Sequence, residues 1–299
     1  MRVVDRFMNG KEALVLRELE GIAKDNGMRV FAKPRMSDVL ARTGRYFTPS
    51  EFSLYTQSHF DFLLVDEAIR PVMAIEYDGP RHLEPMQIER DAIKNALCRE
   101  AGFGLLRIQD HHFDHLYRGM TVLRWIVEVT ELERAFYEAQ AAGSVPPDEP
   151  FDPANFMTMS GRHDFPYWLS ADANVAINKF LSRLDPSGPK GWHSFTGSDG
   201  PDVSLRLSTI YFEDKVLWRK TAIREQDLDF PTYDLLNEIN GCRLGETLKL
   251  YQQGELTASS IDEFRPVWDE FRERYRARPS SSSGAFPIHS TWKGSGIFG

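Results

Sequence analysis

The sequence is poor in cysteine and contains no long apolar run. Its 299 residues include two cysteines, Cys98 and Cys242, which excludes a disulfide framework and a four-cysteine zinc site. The chain begins MRVVDRFMNGKEA, without the apolar core of a signal peptide. No run approaches the roughly 18 apolar residues of a membrane helix. These absences predict a cytoplasmic protein with no membrane partner.

Positive charge is also scarce, since the formal net charge is −8. Contacts to phosphates come from Lys and Arg, so this balance argues against a simple nucleic-acid binder. The deficit is uneven: residues 1–130 hold 18 basic and 19 acidic residues, and residues 131–299 hold 18 and 25. The acidic second half predicts either that nucleic acid is engaged only locally or that a protein partner is required.

The most informative segment contains two apolar strands joined by a short turn. The predicted strands are residues 59–66 (HFDFLLVD) and 71–79 (PVMAIEYDG), and residues 67–70 form a turn of common hairpin length. If the turn is symmetric, Asp61 faces Glu76 across the hairpin. Side chains alternate between the faces of a strand, so the two carboxylates project from the same face, about 5 Å apart at Cβ.

A third carboxylate, Asp78, follows Glu76 by two residues and shares its face. Like charges opposed in this way repel, and a hard divalent cation removes that cost. Mg²⁺ is usually held by one or two carboxylates together with waters and phosphate oxygens. The segment therefore predicts a Mg²⁺ or Mn²⁺ site. The alternative is an asymmetric turn with the acids at a solvated strand end.

With its surroundings, this segment resembles the PD-(D/E)XK phosphodiesterase superfamily. It is most similar to nuclease-like domains of uncharacterised bacterial proteins related to the very short patch repair endonuclease. The segments that carry the resemblance are Asp61-Phe62, Ile75-Glu76-Tyr77-Asp78-Gly79, His82, Asp91 with Lys94, Ala101-Gly102 and Leu106-Arg107-Ile108. It covers roughly residues 8–128. The implied fold is α/β (α+β): a restriction-endonuclease-like core with a mixed central sheet flanked by helices.

The resemblance implies a metal-dependent endonuclease that hydrolyses DNA, in bacterial or phage DNA repair or in defence against foreign DNA. RNA stays open as a substrate. The implied catalytic residues are Asp61, Glu76, Asp78, His82 and Lys94, and the metal ligands are Asp61, Glu76, Asp78 and the backbone carbonyl of Tyr77. The candidates for nucleic-acid contact are Lys33, Arg35, Arg81 and Arg107; for Arg107 the alternative is a solvent-facing side chain.

One departure from the superfamily pattern concerns its lysine. The (D/E)-x-K motif has a lysine where this chain has Asp78. Either Lys94 approaches from the following helix, or His82 takes the acid or base role. Asp91 and Lys94 are neighbours at i and i+3 on that helix. The family pattern favours Asp91 orienting Lys94 toward the scissile phosphate, and an ordinary surface ion pair is the alternative.

Glu12 lies at the start of a predicted helix over residues 10–24. Asn9 and Glu12 form a capping-box pattern. In related nucleases an acidic residue of this helix often points at the metal. Glu12 is therefore either a further metal ligand or a residue that contacts a ligand without touching the metal. The alternative is a helix cap alone. Residues 41–56 are predicted to form a loop.

The domain prediction places a nuclease-like domain at residues 1–142 and a linker at 143–153, where four prolines cluster. An α+β domain for substrate selection or partner binding follows at 154–278. Residues 279–299 are predicted to be a flexible linker and tail.

In the second half, helices are predicted at 171–184, 231–250 and 261–276, with a hairpin at 203–219. His163 and His193 have no partner pattern and are interpreted as structural.

A rival hypothesis is a catalytically inactive scaffold that keeps the nuclease fold and binds nucleic acid or a protein partner. The acidic charge and the missing motif lysine favour the scaffold. The set of Asp61, Glu76, Asp78 and His82 opposes it, because a fold without chemistry gains nothing from opposed carboxylates.

Overall fold

The computed structural model of the protein describes residues 5, 7–42, 44, 46–79, 85–152, 168–182, 188–200, 203–224 and 232–283. These residues divide into two compact units, and the boundary in the sequence falls between Trp168 and Leu169. The described part of the predicted linker, residues 143–152, falls within the first unit. No helix among the described residues is long and apolar enough to cross a membrane.

The first unit is built on a four-stranded mixed sheet. Its strands are β1 (Arg29–Ala32), β2 (Phe62–Val65), β3 (Pro71–Tyr77) and β4 (Gly104–Ile108), in the spatial order β1-β2-β3-β4. β1 pairs with β2 and β2 with β3 in antiparallel fashion, whereas β4 runs parallel to β3. The mixed sheet with helices confirms the predicted α+β class.

Five described α-helices accompany this sheet. They are α1 (Gly10–Asp25), α2 (Met36–Val39), α3 (Pro49–Gln57), α4 (Pro85–Glu100) and α5 (Val122–Ala141). The prediction of a loop over residues 41–56 was wrong at its end, where α3 begins. Thr48 caps α3 through a capping box with Glu51, and Pro49 occupies the tolerated first position. These local signals outweigh the basic and polar composition of the segment.

The hairpin has the predicted register over most of its length. Phe62 pairs with Ile75 and Leu64 with Met73, as a symmetric turn requires. The register shifts between Leu64 and Val65, so that Val65 pairs with Pro71. The bulge lies next to the turn. At the other end of the hairpin the pairing of Phe62 with Ile75, which are the neighbours of Asp61 and Glu76, keeps the predicted alignment.

The sheet is covered on both faces. Ala74 of β3 and Leu105 of β4 pack with buried residues of α2, α3 and α4. Their neighbours Met73, Ile75 and Leu106 point to the other face and are also buried. Parallel strands require cover on both sides, and this burial leaves polar groups only at the strand ends.

The second unit contains a five-stranded antiparallel sheet in the order β8-β7-β6-β5-β9. Its strands and helices are α6 (Ala171–Leu181), β5 (Gly191–Ser198), β6 (Val203–Tyr211), β7 (Lys215–Arg224), α7 (Thr232–Gln252), β8 (Ser259–Ser260), α8 (Ile261–Arg274) and β9 (Arg278–Ser283). The predicted hairpin and the three predicted helices are confirmed. The start of the predicted flexible tail differs, because β9 pairs with β5 and Oγ of Ser280 donates to the carbonyl of Ser194 at 2.9 Å.

Aromatic side chains of α8 build one core of this unit. Phe264, Trp268 and Phe271 are buried against Phe195 and Leu207 of the sheet. The three aromatics lie at positions i, i+4 and i+7, which places them on one face of the helix. A second cluster joins α6 and α7 to the sheet through Ile177, Phe180, Ile210, Leu217 and Leu244.

His193 of β5 is buried in this unit, and its ring stacks on Phe195 with 5.9 Å between centroids. Burial lowers the pKa of His193 to about 4. A neutral, stacked imidazole agrees with the structural interpretation of this residue. His163 lies outside the described residues.

Candidate active site

Asp61 lies one residue before β2 and is held by groups from both neighbouring strands. Its Oδ1 accepts a hydrogen bond from Nζ of Lys33 at 2.5 Å, and its Oδ2 accepts from the backbone N–H of Tyr77 at 2.9 Å. Its carbonyl oxygen accepts from the backbone N–H of Lys33 at 2.9 Å. The Asp61 carboxylate therefore has a defined orientation at the end of the sheet.

Lys33 directly follows β1 and is the bridge between two carboxylates. Its Nζ lies 3.0 Å from Oε1 of Glu12 as well as 2.5 Å from Asp61. Burial opposes the charge of Lys33, but hydrogen bonds and charges of Asp61 and Glu12 outweigh burial and raise the pKa of the lysine. The sequence predicts a phosphate contact for Lys33, and in the structure its partners are these acids.

Glu12 uses its two carboxylate oxygens for different purposes. Oε2 accepts from the backbone N–H of Asn9 at 3.1 Å, and Oδ1 of Asn9 accepts from the N–H of Glu12 at 2.9 Å. This is the predicted capping box, and it is confirmed. Oε1 faces Lys33. The helix cap and a contact with the site are thus both present, although the sequence presents them as alternatives.

Glu76 of β3 is buried, at 4% exposure, and Oε1 accepts from Nζ of Lys94 at 2.6 Å. Lys94 also donates to the carbonyl of His59 at 3.0 Å. Burial raises the pKa of Glu76; the charge of Lys94 opposes this shift, and the charge of Asp61 adds to it. The charge of Asp61 acts on Glu76 because the pairing of Phe62 with Ile75 brings the neighbouring residues Asp61 and Glu76 to one face of the sheet.

Asp78 belongs to a second, buried ion network. Its Oδ1 accepts from Nη1 of Arg107 at 3.0 Å, and both side chains are 2% exposed. The same nitrogen lies 3.5 Å from Oδ2 of Asp91, and Nη2 of Arg107 donates to Oδ1 of Asn95 at 2.9 Å. The Asp78 carboxylate thus faces a guanidinium, as the carboxylates of Asp61 and Glu76 each face a lysine ammonium. Of the three side chains, Asp61 is the most exposed, at 17%, and Asp78 the least, at 2%.

This network corrects two sequence expectations. Arg107, predicted to face phosphate or solvent, is 3% exposed and faces carboxylates, because α4 carries Asp91 toward it. Asp91 and Lys94 form neither the predicted contact, in which Asp91 orients Lys94, nor a surface ion pair. They are 1% and 8% exposed and bind different partners, Arg107 for Asp91 and Glu76 for Lys94.

Tyr77 connects Asp61 to a further pair that sequence reasoning missed. Its hydroxyl donates to Oδ1 of Asp110 at 2.7 Å, and Nζ of Lys11 lies 2.8 Å from Oδ2 of the same carboxylate. Burial and the bond to Asp110 raise the pKa of Tyr77 to about 12. The carbonyl of Tyr77, a predicted metal ligand, accepts from the N–H of Gly79 at 3.2 Å. No local pattern signals Lys11 or Asp110, because their contacts join residues 99 apart in sequence.

Three further residues that the sequence predicts at the site remain to be described. His82 and Arg81 lie outside the described residues. Arg35 is exposed and forms an isolated antiparallel bridge with His59, whose carbonyl accepts from Lys94.

The donor set near Asp61 suits a two-carboxylate metal site. Within the described ranges, no three His, Cys, Asp or Glu side chains lie close enough to hold a metal by themselves. A preformed cage of protein ligands is therefore absent from that part of the chain. Mg²⁺ needs only one or two carboxylates when waters and phosphate oxygens complete its shell. Asp61, oriented by the N–H of Tyr77, and Glu76, whose pKa responds to the charge of Asp61, are the two carboxylates that could supply such donors.

Comparison with known proteins finds that part of the chain is similar to a family of unknown function. Residues 4–119 match the family described as Protein of unknown function (DUF2726). An uncharacterized protein of Haemophilus influenzae (strain ATCC 51907 / DSM 11121 / KW20 / Rd) is 36% identical over 108 residues, which are 36% of this chain and 55% of that protein. The chain thus spans about half the length of the curated relative it matches. No solved structure matches the chain.

Every residue of the site described above lies inside the DUF2726 match, from Lys11 to Asp110. The second unit lies outside that match.

Proposed function

We propose that the first unit is a metal-dependent nuclease that hydrolyses phosphodiester bonds of DNA. The observation that carries this proposal is the buried Glu76–Lys94 pair beside Asp61. A buried acid with a raised pKa, a lysine bound to it and a second carboxylate close enough to influence it are typical of catalytic sites. The setting, DNA repair or defence in bacteria or phages, follows from the superfamily resemblance alone.

The order of elements supports the same proposal. α1 precedes the antiparallel strands β1, β2 and β3, and α4 then crosses to β4, which is parallel to β3. A mixed sheet flanked by helices is what the resemblance to PD-(D/E)XK domains implies. We therefore infer a restriction-endonuclease-like core for this unit.

Asp61 and Glu76 would hold Mg²⁺ or Mn²⁺, and phosphate oxygens of the substrate would complete the shell. When bound, such a cation polarises the scissile phosphate and lowers the pKa of a coordinated water. The chain's own contribution is to orient both carboxylates before the cation binds. The N–H of Tyr77 fixes Asp61, and Lys94 fixes Glu76.

Lys94 takes the role that the superfamily pattern gives to a lysine at position 78. Its ammonium is anchored by Oε1 of Glu76 and the carbonyl of His59, and the side chain is nearly buried. A fixed positive charge at this point stabilises negative charge that grows on the phosphoryl oxygens during hydrolysis. His82 is the alternative proton donor or acceptor in this scheme.

The direct test is a cleavage assay with matched variants. The full-length protein is incubated with supercoiled, linear, single-stranded and branched DNA and with RNA, in Mg²⁺, Mn²⁺ or EDTA. Glu76→Gln removes the central carboxylate while keeping its shape. Glu128→Gln is the control, because Glu128 is also a buried acid in an ion pair, with Arg124, but lies on α5 outside the site.

Cleavage that requires metal, persists in E128Q and disappears in E76Q would support the proposal. Cleavage that survives in E76Q would contradict it. Stronger cleavage of RNA than of any DNA would change the substrate class and leave the chemistry in place.

The inactive scaffold is the second candidate, and one observation favours it. Glu12, Asp61, Glu76 and Asp78 each already face a lysine or an arginine. Thermal melting with Mn²⁺ separates the two functions. A cation that binds only the native state raises Tm by mass action. A scaffold without the site shows no such rise and no cleavage of any substrate.

A further inference from the structure

Lys33 has a backbone conformation that a lysine rarely adopts. Its φ is 54°, in the left-handed region. Such outliers persist only where surrounding contacts hold them, and they concentrate at functional sites. Here the backbone N–H of Lys33 donates to the carbonyl of Asp61, and Nζ reaches the carboxylate of the same residue. Both ends of Lys33 are therefore fixed to Asp61.

The two carboxylates beside this ammonium are held by other groups. Glu12 is tied to the start of α1 by its bonds with Asn9. Asp61 is tied to β3 by the N–H of Tyr77. The carboxylates keep these anchors even if the ammonium leaves. The side chain of Lys33 is 26% exposed, so its free end has access to solvent.

We propose that Lys33 is a positioning residue, the resident cation of the metal site. Its ammonium neutralises Glu12 and Asp61 when no metal is present, and it moves aside when a divalent cation binds Asp61. This inference rests on the proposed function, because it assumes that Asp61 is a metal ligand. Once displaced, the ammonium stays near the site and can contact a phosphate of the substrate.

Competition between the Lys33 ammonium and a metal cation for Asp61 follows from electrostatics. Two carboxylates held close together attract a cation more strongly when no other cation lies between them. Removal of the Lys33 charge should therefore tighten metal binding. A purely structural ion pair, remote from the metal, would predict a loss of stability with no change in metal affinity.

The test is calorimetric titration of full-length protein with Mn²⁺ alone, without substrate. Lys33→Met removes the charge and keeps a long apolar side chain, and Lys33→Arg keeps the charge. Lys24→Met is the control, since Lys24 is an exposed residue in the last turn of α1 and its loss changes the net charge equally. Melting without metal verifies that each variant folds.

We expect K33M to bind Mn²⁺ about tenfold more tightly than the wild type, the effect of removing one competing charge. K33R and K24M should bind with the wild-type affinity. Equal or weaker binding by K33M, with tight binding by the wild type, would overturn the role of Lys33 and leave the nuclease proposal intact. No Mn²⁺ binding by any of the proteins would overturn both.

Discussion

The ammonium of Lys94, on α4, lies 2.6 Å from Oε1 of Glu76, on β3, and both side chains are almost completely buried. The pair joins the crossover helix to the strand that precedes it in the chain. Because the pair is buried, neither residue can lose its partner without leaving a charge in a poorly solvated place.

Lys94→Met should therefore destabilise the first unit. Removing one partner of a buried pair typically costs about 3–5 kcal/mol. The additional change Glu76→Gln should recover part of the loss, because the double variant contains no unpaired charge. Urea denaturation of the two single variants and the double variant at one pH measures the coupling between the residues. Strict additivity of the two losses would argue against a direct interaction.

Arg107→Met tests whether this arginine supports the site from the interior. Its guanidinium faces Asp78 and Asp91 and is nearly buried, so we expect a loss of stability of about 3–5 kcal/mol. Arg134→Met is the comparison, because Arg134 forms ion pairs on the surface of α5 and should cost less than about 1 kcal/mol. The denaturant midpoints of R107M and R134M, each compared with the wild type, measure the two losses of stability. A stable R107M variant with weakened DNA binding would instead favour the phosphate contact predicted from sequence.

Glu238 should make the second unit less stable as the pH rises. Burial raises the pKa of this acid to about 7, although Ser170 donates to it from both N–H and Oγ, and the charge of Asp234 adds to the shift. The ordinary pKa is 4.5, so the native state holds the proton more tightly than the unfolded state. Stability should fall between about pH 4.5 and pH 7, by up to about 3 kcal/mol, and then level off.

Glu238→Gln should remove this part of the pH dependence and be the more stable protein at pH 8. Urea denaturation between pH 5 and pH 8, followed by a signal from the second unit, compares the two proteins. Parallel profiles for the wild type and the variant would mean that the carboxyl group titrates normally.

Gly245→Ala should loosen the contact between α6 and α7. A Cβ at Gly245 would overlap the Cβ of Ala173, and a Cβ at Gly241, one turn earlier, would lie 2.9 Å from Cβ of Ser170. Overpacking of this kind costs about 1–3 kcal/mol. Gly10→Ala is the control, because a Cβ there meets nothing within 4 Å. Thermal melting of both variants tests the difference. A G245A variant that melts like the wild type would show that the helices can separate without cost.

Much of the site could be predicted because it depends on local rules. The alternation of side chains and the length of the turn determine that Asp61 and Glu76 share a face, and the capping box at Asn9 is a pattern of adjacent residues. Each of these predictions needs only a few consecutive residues.

The remaining contacts depend on the three-dimensional arrangement of distant segments. Lys33 contacts Asp61 because its backbone turns into the left-handed region after β1, which no residue type at that position indicates. Arg107 is buried because α4 presents Asp91 to it. β9 was not predicted because it also depends on a contact with a distant segment. Its serine-rich sequence lacks strand propensity, and pairing with β5 supplies the hydrogen bonds instead.

The capping box of α1 has a consequence for local unfolding of the protein. One oxygen of Glu12 closes the helix and the other binds Lys33, so a single carboxylate takes part in both contacts. The first turn of α1 cannot fray without releasing a partner of Lys33. Fraying of the helix end therefore carries Glu12 away from Lys33 and changes the charge balance around Asp61.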